Sequence, residues 1–178
     1  MPTLSILHGA ALVVATLGAV WDWRRGEIPN WLTLPVVTLA PVLHGLLMGP
    51  MGVARSVLAA LCCGLVPYVL FRAGAGGGGD VKLFAALGAL TGLSMGLEIE
   101  LTAFIAAAVL AMGRLAWQGA LLRTLLNAFF LATNPILPRK WRRTVEPELM
   151  ATVRLGVPIA VAAALVVIGR HAAPWVGA

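Results

Sequence analysis

The chain has 178 residues and a formal net charge of +6; 60% of its residues are hydrophobic and only 11% are charged. A soluble domain carries about half apolar and about a quarter charged residues, and at this size too much of its surface faces water to hide so much apolar area. Composition therefore excludes a water-soluble globular protein and points to a bilayer, where the positive charge reads as loop topology and not as affinity for nucleic acid.

A membrane core about 30 Å thick takes roughly 20 apolar residues per helix, so the chain supplies about six spans, at 4–21, 31–49, 53–71, 82–97, 99–117 and 152–173. The expectation is an all-α integral membrane protein, one transmembrane domain over 1–178. The first stretch lacks a basic n-region and runs into Trp21-Asp22-Trp23 without an obvious small-residue cleavage site, so it reads as a retained span. Pro35, Pro41 and Pro67 fall inside the second and third spans, where neighbouring helices can satisfy freed backbone groups. Cys62 and Cys63 are adjacent, with no CxxC set and no nearby His; they read as packing residues and not as zinc ligands.

The fourth span is short, and its glycine-rich start should dip into the protein or the interface. Its Ala85, Ala86, Gly88, Ala89 and Gly92 would let it pack closely. After the fifth span comes one sizeable loop, 118–151. Leu121, Leu122, Leu125, Leu126, Phe129 and Phe130 recur there at helical spacing, opposite Arg123, Thr124 and Asn127. That is the pattern of a helix lying in the interface, with Trp141 among Arg139, Lys140, Arg142 and Arg143 as a headgroup anchor. With the first loop in the cytoplasm, eleven Lys and Arg fall on that side and only Arg55 and Arg170 on the other. Both termini should therefore lie outside the cytoplasm.

Asp22 and Asp80 are the only aspartates, and both fall where a span meets the cytoplasmic side. Ionisable groups at membrane depth are costly, so each is a functional candidate. Two carboxylates in one site do not both ionise comfortably, so one holds a proton near neutrality. The charged one can then activate water while its protonated neighbour polarises a peptide carbonyl, with no metal or cofactor. Gly74, Gly76, Gly77, Gly78 and Gly79 ahead of Asp80 allow positive φ and close approach of an extended substrate. No G-K-[ST] follows, so a nucleotide loop is disfavoured.

Asp22-x-Arg24-x-x-x-Ile28-Pro29-Asn30, followed by Gly77-x-Gly79-Asp80-x-Lys82, resembles the type IV prepilin peptidase family. The likeness continues through Leu83-Phe84-Ala85-Ala86-Leu87-Gly88 and, more weakly, at Arg154-Leu155-Gly156-Val157-Pro158-Ile159. The resemblance implies a bacterial inner-membrane aspartic endopeptidase that removes short basic leaders from pilin-like precursors at the cytoplasmic face. It implies Asp22 and Asp80 as the catalytic dyad and Gly77 and Gly79 as shaping the loop that presents Asp80. Lys82, Arg24 and Asn30 would orient the loops. Its partners would be a prepilin, the lipid bilayer and the pilus assembly machinery.

Many bacterial members carry paired CxxC motifs between the first two spans and also N-methylate the product. Only about residues 22–30 separate those spans here, and no CxxC occurs, so methyltransferase activity, its zinc and S-adenosylmethionine are not expected. The compact build is similar to the peptidases of Flp (tight-adherence) pili and to archaeal preflagellin peptidases. A basic leader needs acidic contacts, for which Glu27, Glu146 and Glu148 are candidates.

Three other readings compete. Presenilin-type proteases share GxGD, but their downstream Pro-Ala-Leu is missing. A transporter or proton-conducting protein using the two aspartates as titrating groups would place them near the midplane, not at one face. A non-catalytic scaffold would not need both aspartates.

Overall fold

In the computed structural model, the described residues are 2–74, 76–117 and 154–172, all helical or short connections. They form α1 (Pro2–Arg25), α2 (Asn30–Met48), α3 (Pro50–Arg72), α4 (Gly78–Thr91), α5 (Leu93–Trp117) and α6 (Gly156–Ala172). The predicted interfacial helix, the basic cluster around Trp141, and Glu146 and Glu148 lie outside the described residues.

Among the described residues, four helices are long and apolar enough to cross a membrane: Ser5–Arg25, Asn30–Met48, Pro50–Arg72 and Leu93–Arg114. This all-helical build of the described residues is compatible with an integral membrane protein. α6 is a shorter apolar helix, and α4, at 14 residues, reaches only about 21 Å at 1.5 Å per residue. α2 and α3 turn large side chains outward, Leu46 80% and Leu61 67% exposed, as suits helices that face lipid.

α4 is the hub. It packs against α1, α2, α3 and α5 and buries Asp80, Leu83, Phe84, Ala86, Leu87, Gly88, Ala89 and Leu90. Gly88 is what admits α3: a Cβ there would lie 2.7 Å from the Ala59 carbonyl oxygen and 2.8 Å from the Cys63 side chain. α6 packs against α1 and α5.

The break between the fourth and fifth apolar stretches comes earlier than the spans 82–97 and 99–117 would have it. Gly92 ends α4 with φ 82°, a conformation open mainly to glycine, and donates its N–H to the Gly88 carbonyl. Glu98, which falls between those two spans, lies within α5, as does Glu100. Glu98 pairs with Arg170 of α6, and Glu100 is buried.

Candidate active site

The site forms where α1 ends and α4 begins. Gly26, with φ 72°, closes α1 by donating to the Asp22 carbonyl at 2.9 Å. The chain crosses in extended form at Pro29 (ψ 144°) and starts α2 at Asn30. Trp21 and Trp31 meet edge to face across this turn, 5.3 Å between centroids, and Arg25 lies 5.4 Å over the Trp21 ring.

One turn inside Asp22, Gly18 faces Leu83, which lies three residues beyond Asp80; a Cβ on Gly18 would lie 3.1 Å from Leu83 Cδ2. The same faces of α1 and α4 that bring Gly18 onto Leu83 carry Asp22 and Asp80 toward one another at the next turn. Both aspartates are buried, 6% and 8% exposed, on the two helices that pack together here.

Asp80 sits in the first turn of α4 and accepts the N–H of Gly77 on Oδ2 at 3.1 Å, the return half of a capping box. Gly77 is extended, with φ −88° and ψ 144°. The glycine run does less turning than its composition suggests. Of its described members only Gly74 has positive φ, and Gly78 and Gly79 already belong to α4. Space, not φ, is what Gly79 provides: a Cβ there would lie 2.9 Å from Ile28 Cβ and 3.1 Å from the Ile28 backbone nitrogen. The two sequence motifs therefore touch through Ile28 and Gly79.

Lys82 and Asn30 are also brought together. The Lys82 ammonium donates to Asn30 Oδ1 at 2.7 Å, tying the second turn of α4 to the first residue of α2. Arg24 is exposed on the last turn of α1; among the described residues it is not bonded to either aspartate. Nor do any three His, Cys, Asp or Glu side chains there lie close enough to share a metal ion.

Two residues that sequence reasoning did not assign to the site lie against it. The Gly156 N–H, at the start of α6, donates to Asp22 Oδ2 at 3.0 Å. Arg154 donates from Nη1 to the Trp23 carbonyl at 3.1 Å. The only signal for them in the sequence was the weak likeness over Arg154–Ile159, in which Pro158 suits the first turn of a helix.

A model of the type IV leader peptidase family matches residues 9–112, more than half the chain. No curated protein and no solved structure matches it. The matched stretch runs through both aspartates and ends well before Arg154.

Proposed function

We propose that the chain, which belongs to the type IV leader peptidase family, is an aspartic endopeptidase that cuts the short basic leader from a type IV or Flp-like prepilin. The observation that carries this reading is the packing of α1 and the turn after it against α4, at Gly18–Leu83 and Ile28–Gly79, with Asp22 and Asp80 both buried beside it. Neighbouring buried carboxylates share a proton in preference to carrying two charges. Oδ2 of each is taken by a backbone N–H, which leaves Oδ1 of each for the reaction.

In the first step the ionised carboxylate takes a proton from water while its protonated partner donates to the scissile carbonyl oxygen, giving a tetrahedral diol. The C–N bond then breaks as a proton passes to the leaving amine. Atoms and charge balance with water alone. Gly77 and Gly79 shape the turn that presents Asp80, and Lys82 and Asn30 hold that turn against α2. Arg24 belongs to the positive face that fixes α1 at the cytoplasmic side. The site then opens to the cytoplasm, where precursors are made.

The test is co-expression with a Flp-type prepilin, following precursor size for the wild type, Asp22→Asn and Asp80→Asn. Cleavage by the wild type alone is the expected result. Cleavage by either variant removes the dyad; no cleavage by verified, inserted wild type of Flp-type, type IV or archaellin precursors removes the protease.

A further inference from the structure

We infer that Gly156 and Arg154, at the start of α6, are the positioning residues of Asp22. The inference rests on the reading of Asp22 as catalytic and assigns a role to a segment outside the stretch that matches the family.

Asp22 needs outside help for a physical reason. It lies in the last turn of α1, which ends at Arg25. A helix C-terminus presents unpaired carbonyls and partial negative charge, a poor place to hold a carboxylate in one orientation. α6 supplies the opposite. Gly156 is its first residue, and the first N–H groups of a helix have no partner within it and carry partial positive charge. One of these is directed to Asp22 Oδ2 at 3.0 Å, in a buried contact.

That approach requires glycine. A Cβ at position 156 would lie 2.6 Å from Asp22 Cβ and 2.7 Å from Oδ2, so any side chain there must push α6 and Asp22 apart. Arg154 secures the same junction from outside. Its Nη1 donates to the Trp23 carbonyl, one of the carbonyls α1 cannot satisfy itself, and its Nη2 lies 3.4 Å from where a Cβ on Gly26 would be. The guanidinium thus lies across the end of α1, and the start of α6 holds both the Asp22 carboxylate and the backbone of the next residue, Trp23.

The experiment measures kcat and KM for cleavage of a prepilin by the full chain in membranes or detergent. It compares the wild type with Gly156→Ala, Arg154→Gln and Arg154→Lys, alongside Asp22→Asn. Displacing a reacting group by about 1 Å costs on the order of 100-fold in rate, so Gly156→Ala should lower kcat by about that factor with KM little changed. Arg154→Gln should lower kcat by about tenfold, and Arg154→Lys, which can still donate to the Trp23 carbonyl, should recover part of it. A wild-type kcat in Gly156→Ala overturns the inference. So does an Arg154→Gln variant whose KM rises at unchanged kcat, because Arg154 would then touch substrate instead of Asp22's helix. Should Gly156→Ala fail to accumulate, the Arg154 pair decides alone: unchanged kcat in Arg154→Gln overturns, and loss with partial recovery in Arg154→Lys supports. Full cleavage by Asp22→Asn would overturn the dyad itself, whereas an inactive Asp22→Asn beside unaffected Gly156 and Arg154 variants would overturn only the positioning role.

Discussion

Asp80 and Asp22 are the same chemical group held in opposite ways. Asp80 stands in the first turn of α4 and is bonded to Gly77, three residues earlier in the same segment, where the helix dipole favours a negative charge. Asp22 stands at the far end of a long helix, where the dipole opposes it, and its hydrogen bond comes from Gly156, 134 residues further along the chain. One aspartate is built locally and the other depends on tertiary packing. The difference teaches that a symmetric-looking pair can have quite different tolerances to change around it.

The largest effects must nevertheless be equal if the two act as one unit. Asp22→Asn and Asp80→Asn should each reduce cleavage by about 10²–10⁴-fold, because an amide neither takes nor gives the proton that the proposed dyad would share. A rate assay on purified protein checks this. Partial activity in one variant alone would break the comparison by making that aspartate a helper.

Next in size are the glycines of the Asp80 turn. Gly79→Ala should lower the cleavage rate by about 10–100-fold, as small displacements of reacting groups do. Alanine is the better helix former by about 1 kcal/mol, but here its Cβ would press on Ile28 at 2.9 Å. Gly77→Ala should cost less. Its backbone is ordinary extended chain, and its Cβ would come nearest to Asp80 Oδ2, at 3.1 Å. A larger loss from Gly77→Ala than from Gly79→Ala would show that the approach of the chain to Ile28 is not what presents Asp80.

The same contrast explains what was legible in the sequence. Gly77-x-Gly79-Asp80-x-Lys82 is contiguous because the support of Asp80 is local, and Ile28-Pro29-Asn30 is contiguous because the chain must turn from α1 into α2. The long apolar runs gave α1, α2 and α3 within a few residues, since burial in lipid is a matter of composition along the chain. The Gly92 break lay hidden because the apolar run continues past it to Glu98, which in the fold stays within α5 and pairs with Arg170. The hold of Gly156 on Asp22 had no local signature, since a backbone N–H carries no residue type and only the packing of α6 against α1 reveals it.

A smaller effect sharpens the comparison on the Asp80 side. Lys82→Met removes the 2.7 Å hydrogen bond to Asn30, and such a bond contributes about 1 kcal/mol net, so cleavage should fall by about tenfold at most. Asn30→Asp keeps an acceptor for Lys82 and should retain more activity than Asn30→Leu. Because Lys82 and Arg154 share no partner and support different aspartates, the losses from Lys82→Met and Arg154→Gln should add in free energy. A strongly non-additive double variant would mean that the two supports are one.

The smallest effect is expected at the other end of α6. Arg170 donates to both carboxylate oxygens of Glu98 and to Ser94 Oγ, joining α6 to α5. The Arg170 and Glu98 side chains are 44% and 49% exposed, and exposed ion pairs contribute about 0–1 kcal/mol. Glu98→Gln should therefore lower the unfolding temperature in detergent by no more than about 2–4 °C and leave the cleavage rate unchanged. α6 has independent anchors between its ends, since Ile159, Ala162, Ala163 and Val167 are all buried, so a loosened far end should not reach Gly156. A rate loss in Glu98→Gln as large as that of Arg154→Gln would show otherwise: α6 would then act on Asp22 as a rigid lever whose whole length sets the position of the carboxylate, and the non-local support of Asp22 would extend from one hydrogen bond to an entire helix.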